Sequence, residues 1–230
     1  MSVVKVFGNI ECSTEFVQGL IARGHVLPDA LKSASKKRQA DYLVGRRCAR
    51  QCLLLLGQTT EDLAYAGHAK PPSWPARVAG SISHTRGLAV SIATTESMLV
   101  GIDIERVLSD REAATIQHFV VNDDEWHHCP SDLSTSAFTT LVFSAKETIY
   151  KALGGLYGAR LEFHSVSLLA VGGHTLTFVA NHAIGRSLPA GCSITLEYHR
   201  VDDLIETQLL LNKSNLNESI HSVVCTQFLV

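Results

Sequence analysis

The chain has no apolar run approaching the ~18 residues of a membrane-spanning helix. Its opening residues also lack the charged-then-apolar order of a secretory leader, so the expectation is a cytoplasmic protein. Strong charge of either sign is missing: 20 basic and 22 acidic residues leave a formal net charge of −2, so no global field draws the chain to nucleic acid. Recognition of phosphate has to come from a local cluster. Six cysteines, at 12, 48, 52, 129, 192 and 225, form no C-x-x-C pair, and the eleven histidines include no H-E-x-x-H. These absences exclude the usual zinc signatures and a disulfide framework. What is present is 46% apolar and 18% charged residues over 230 positions. That suits a sizeable core in one large domain or in two of about half the length.

Alternating hydropathy predicts strands over 3–7, 88–94, 98–107, 163–171, 175–181, 192–198, 208–211 and 222–228, with Gly172-Gly173 as a hairpin turn. Apolar spacings of three and four predict helices over 14–23, 35–56, 110–121 and 136–153, the last ended by Gly154-Gly155. A turn at Glu96-Ser97 pairs strands 88–94 and 98–107 as a hairpin, with Ser83-His84 just ahead of it. Phe119 and Trp126 are the expected core residues around a short helix that starts near Asn122. Helix then hairpin, followed by helix then strands, gives an α+β fold class of two similar halves, over 1–108 and 109–230.

In the strand over 98–107 a period of two puts Val100, Ile102 and Ile104 on one face and Gly101, Asp103 and Glu105 on the other. Two adjacent carboxylates raise each other's pKa unless a cation holds both ionised. Either both acids face water at a sheet edge, or they hold Mg²⁺ with a phosphate completing its shell. Glu125 is a third carboxylate ligand or an acid that only favours a helix dipole. On the helix over 136–153, Lys146, Glu147, Tyr150 and Lys151 lie across from the apolar stripe. Glu147 and Lys151 are either an exposed pair four apart or a base tuned by a neighbouring ammonium.

Arg46 and Arg50 share a helix face, which suits a solvated surface or a rigid grip on phosphate. Lys36, Lys37 and Arg38 read as a solvated face. Lys70 precedes Pro71-Pro72, a setting that extends its backbone and can aim its ammonium into a cleft. Ser83 and His84 are able to donate to a phosphate, and Gly80 leaves room for close backbone approach.

Four stretches then combine: Gly-Arg-Arg-Cys-Ala-Arg at 45–50, Gly-Ser-Ile-Ser-His-Thr at 80–85, Gly-Ile-Asp-Ile-Glu at 101–105 and Phe-Ser-Ala-Lys-Glu-Thr-Ile-Tyr-Lys-Ala at 143–152. In order and spacing they resemble the 4′-phosphopantetheinyl transferases, in the monomeric class that activates siderophore- and surfactin-type synthetases. The resemblance spans roughly 40–155. It implies a pseudo-two-fold pair of α+β halves, Mg²⁺ and coenzyme A in the site, and an apo acyl or peptidyl carrier protein as partner. By position it implies Asp103, Glu105, Glu125 and Glu147 around the metal, and Glu147 with Lys151 in catalysis. Ser83, His84, Arg46, Arg50, Lys70, Asp103 and Lys151 would contact coenzyme A, with His84 at the 3′-phosphate. The rival readings are a metal-dependent phosphohydrolase and a non-enzymatic nucleotide-binding module.

Overall fold

Three serines set where helices begin. The hydroxyls of Ser13, Ser35 and Ser109 accept from the amides of Phe16, Arg38 and Glu112, and Glu112 returns a bond to Ser109 to complete a capping box. In the computed structural model, which describes residues 2–59, 63, 65, 67, 71–157, 161–185 and 188–216, these caps open helices α1 (Thr14–Ala22), α2 (Lys36–Leu55) and α3 (Asp110–Val120); α4 is Thr135–Tyr157. The strands are β1 (Val3–Asn9), β2 (Ala79–Thr85), β3 (Leu88–Thr94), β4 (Met98–Arg106), β5 (Val166–Val171), β6 (Thr175–Ala180), β7 (Ser193–Val201) and β8 (Leu204–Asn212).

They form two antiparallel sheets, one ordered β1-β3-β2 and one ordered β4-β8-β7-β6-β5. Each half is thus a helix-covered antiparallel sheet, the expected α+β class. On β3 the small Ala89 faces α2, where it joins Leu43, Val44 and Cys48. The alternate residues Val90 and Ile92 meet Met98, Val100, Ile102 and Ile104 of β4. The opposite face of β4 turns to α4: a Cβ at Gly101 would lie 2.2 Å from the Thr148 carbonyl oxygen, so the missing side chain is what lets α4 lie directly on the strand. Hydroxyls of Ser144 and Thr148 reach Thr207 at 2.9 and 2.7 Å and fasten the same helix to β8.

Several expectations are corrected. β4 does not form a hairpin with β3; it pairs with β8 throughout, from Met98 opposite Asn212 to Arg106 opposite Leu204. The hairpin is instead β2–β3, turned at Arg86-Gly87, and Ser83 and His84 lie within its first strand. Asp103 therefore belongs to the same sheet as the one α4 covers, and the change of sheet falls between Thr94 and Met98. Helix α4 runs on through Gly154-Gly155 to Tyr157, since mid-helix glycine costs only about 1 kcal/mol. Phe119 is 60% exposed, because the α3 face that carries Ala113 and Val120 is the one turned inward. Trp126 does pack on Phe138, with ring centroids 5.2 Å apart. The strand expected over 163–171 opens with a 3₁₀ turn at Phe163–Ser165. The strand expected over 222–228 lies outside the described residues.

Candidate active site at the β2–β4 seam

β2 and β4 are edge strands of different sheets, and they run side by side in the same direction. Side-chain hydroxyls join them: Ser81 accepts from the Ile102 amide at 3.2 Å, Ser83 donates to Asp103 at 2.7 Å, and Thr85 donates to Glu105 at 3.2 Å. This seam carries both acids of β4 and both residues of the Ser-His pair. Of the alternatives left open by alternation, a carboxylate facing water is excluded for Asp103, which is 2% exposed.

Asp103 Oδ1 is held by Ser83 and by Lys151 Nζ at 2.5 Å, and the same ammonium bonds Ser83 Oγ at 3.0 Å. Asp103 Oδ2 is buried with no hydrogen-bond partner among the described residues. Such an oxygen is costly unless something outside the chain takes it up. Beside it, burial pushes the Glu105 carboxyl up to about 7, and the Asp103 charge adds to that shift. Glu147 is also raised, by burial first, with Lys151 opposing and Asp103 adding. Lys151 thus bonds Asp103 and Ser83 rather than the glutamate one turn before it, on which it acts as a nearby charge.

His84 lies between two α2 groups. Arg38 Nη1 is 3.4 Å from its Nε2, and Asp41 Oδ2 is 3.9 Å from its Nδ1. Burial pushes the imidazole pKa down, Asp41 opposes this, and the Arg38 and Lys151 cations add to it. Arg38 is the residue that the sequence reading set aside as solvated. The signal for it was the eight-residue step to Arg46, about two helical turns, which keeps both on one side of α2. Arg46 stacks over Tyr42 at 5.1 Å from the ring centroid. Arg50 is twelve residues beyond Arg38, roughly 18 Å along the axis, so α2 does not bring it to His84. At Gly80 the close neighbour is the Trp74 indole, 2.5 Å from where a Cβ would sit. Lys70 lies outside the described residues.

Glu125 is not brought to this group. Its side chain is 1% exposed and salt-bridged to Lys146, and it also accepts from the Asn122 and Leu168 amides. Among the described residues no three His, Cys, Asp or Glu side chains close into a metal cage. Asp103, Glu105 and Glu147 lie near enough for their charges to act on one another. Beyond Glu147 a cavity of about 580 Å³ is lined by Tyr150, Leu161, Phe163 and Val166.

Residues 27–94 match the 4′-phosphopantetheinyl transferase N-terminal domain, and residues 99–190 match the 4′-phosphopantetheinyl transferase superfamily. The chain belongs to the 4′-phosphopantetheinyl transferase superfamily. The two matched segments meet at residues 95–98, where the chain passes from one sheet to the other, and together they contain every residue of the seam. Similar proteins include enterobactin synthase component D of Salmonella typhimurium, 35% identical over 54% of this chain and 52% of the relative. Another is the 4′-phosphopantetheinyl transferase Svp of Streptomyces mobaraensis, 35% identical over 64% of this chain and 60% of the relative. A third, Npt of Nocardia iowensis, is 28% identical over 58% and 60%. The chain spans about half the length of the enterobactin-synthase relatives that it matches. Among the described residues no helix is long and apolar enough to cross a membrane.

Proposed function

We propose that this superfamily member transfers the 4′-phosphopantetheine arm of coenzyme A to a serine of an apo acyl or peptidyl carrier protein, releasing 3′,5′-ADP. The observation that carries the reading is the buried, unbonded Asp103 Oδ2 beside Glu105 and Glu147, two carboxyls that burial holds above their ordinary range. The carboxylates of Asp103, Glu105 and Glu147 are hard oxygen donors of the kind that would hold Mg²⁺. Bound there, Mg²⁺ would neutralise charge on the pyrophosphate of coenzyme A.

The chain's own residues do the rest. The carrier serine oxygen attacks the phosphorus that bears the pantetheine arm, the bond to the bridging pyrophosphate oxygen breaks, and 3′,5′-ADP departs with that oxygen. Glu147 takes the serine proton; a carboxyl raised toward neutral pH is a better base than an ordinary one. Lys151, anchored at Asp103, places an ammonium where negative charge grows. Arg38, Arg46 and His84 hold the nucleotide phosphates, and a 3′-phosphate at His84 would favour the imidazolium that burial disfavours. The cavity beyond Glu147 offers the arm a partly apolar bed. Such displacements leave little covalent work to a protein, so positioning and charge neutralisation dominate.

The test is intact-mass spectrometry of an apo carrier after incubation with the full chain, coenzyme A and Mg²⁺. Carriers of an enterobactin-type synthase are the first acceptors, given the relatives' names, with fatty-acid and polyketide carriers alongside. The expected result is one phosphopantetheine added per carrier, suppressed by EDTA. No gain on any carrier, or release of 3′,5′-ADP without one, would replace the transferase with a hydrolase or a binding module.

A further inference from the structure

Helix α4 carries a second carboxylate–lysine pair, which the proposed transfer does not use. Glu125 and Lys146 side chains are each 1% exposed and lie 2.8 Å apart. Every strong position on them is filled. Glu125 Oε1 also accepts from the Leu168 amide at 2.7 Å, and Oε2 accepts from the Asn122 amide at 2.8 Å and from Lys146 at 2.9 Å. The Lys146 ammonium makes a further bond to the Val120 carbonyl at 2.7 Å. Val120 ends α3, so that carbonyl is among those a helix terminus leaves without an internal partner. Asn122 closes the short turn by accepting from the Glu125 amide at 2.9 Å.

The pair therefore ties four pieces of chain to one point: the end of α3, the 3₁₀ turn Asp124–His128, β5 and α4. The point on α4 is the residue just before Glu147. Adhesion alone does not call for charge here, because apolar side chains of similar volume commonly hold such a place at least as well as a buried ion pair. A saturated pair supplies direction instead. Lys146 and Glu147 are locked to one backbone, so any rotation of α4 that moved the ammonium off its partners would swing Glu147 through the same angle. On the sheet side Gly101 lets α4 rest on β4, and the Ser144 and Thr148 hydroxyls hold it to Thr207; the Glu125–Lys146 pair fixes the helix from the opposite layer.

We propose that the Glu125–Lys146 pair is a positioning strut for Glu147, holding α4 at the rotation and height that aim the Glu147 carboxylate at Asp103 and the incoming serine. This rests on Glu147 being the base of the proposed transfer. Glu125 and Lys146 are positioning residues: the Lys146 side chain borders the cavity beyond Glu147, but its ammonium is taken up by Glu125 and the Val120 carbonyl.

The discriminating protein is the double variant Glu125→Leu/Lys146→Met, which removes both charges and fills the space. It is expected to melt at or above the wild-type temperature, yet to lose kcat for carrier loading about tenfold or more, with KM for coenzyme A within twofold. Amide hydrogen exchange on the same folded protein is expected to show lost protection at 143–151, with the β7–β8 amides unchanged. A double variant that folds stably and keeps both wild-type kcat and α4 protection would overturn the strut. If the wild-type chain loads no carrier, the transfer reading fails by itself, and unchanged exchange at 143–151 still decides against the strut. Glu125→Gln alone, which leaves the ammonium buried opposite a neutral amide, serves as the unstable control.

Discussion

Two lysine–carboxylate pairs meet α4 five residues apart, and they differ in what is left over. At Lys146–Glu125 every oxygen is occupied and both side chains are sealed from water. At Lys151–Asp103 the lysine side chain is 25% exposed, one carboxylate oxygen is buried without a partner, and two further acids stand close by. The chemistry of each pair is the same. Saturation separates them: the closed pair has nothing to offer a ligand, and the open one has an oxygen left for a group outside the chain to satisfy.

The sharpest way to break this comparison is Asp103→Asn. It should cut transfer on the order of 10³-fold or more, by removing charge from the proposed metal and phosphate site, while thermal melting stays near wild type. Activity that survives would make the open pair as structural as the closed one. Next in size, Glu125→Leu alone leaves Lys146 buried and unpaired, and should cost about 3–5 kcal/mol in urea unfolding; a neutral result would mean that water reaches the closed pair.

A third outcome concerns pH. Glu105 in the folded protein holds its proton up to about 7, against an ordinary 4.5. Between those values the folded form keeps a proton that the unfolded chain has released, so stability falls as pH rises through that window. Melts in EDTA should show this slope, Glu105→Gln should flatten it, and Mg²⁺ should oppose it at the upper end. A wild-type curve as flat as the variant's would remove Glu105 from the open site. Smallest is the contrast along α2. Arg38→Ala should raise KM for coenzyme A about tenfold through loss of a charged hydrogen bond, and much less for dephospho-coenzyme A. Arg50→Ala should change it less than about twofold; the reverse order would put the nucleotide at the other end of the helix.

Much of this was legible in the residues. The two faces of β4 followed from alternation, because a strand between two layers must satisfy both. Its hydrogen-bond partner did not follow, since hydropathy says which side is buried and never names the neighbour; a tight Glu96-Ser97 turn suggested β3, and the chain uses it to change sheets. Arg38 was lost in a basic run whose composition looks like any solvated surface. Lys146 was read on the polar side of α4 because periodicity sees one apolar stripe, whereas α3 and the turn after it cover a second side of that helix. Glu125 stayed open between a ligand and a helix-favouring acid for the same reason: a buried carboxylate and a metal-binding one look alike until the donors around them are counted, and here those donors are Lys146 and two amides.

The seam between β2 and β4 bears on how the chain can be divided. Each is the outermost strand of its sheet, and an uncovered outer strand is a template on which other chains pair and aggregate. Here each hides the other through serine and threonine hydroxyls, and Asp103 and Glu105 sit on the hidden line. Cutting the chain between Thr94 and Met98 would yield two fragments, each with a sticky border and half of a site. Keeping the two halves in one chain thus serves solubility as well as the proposed chemistry.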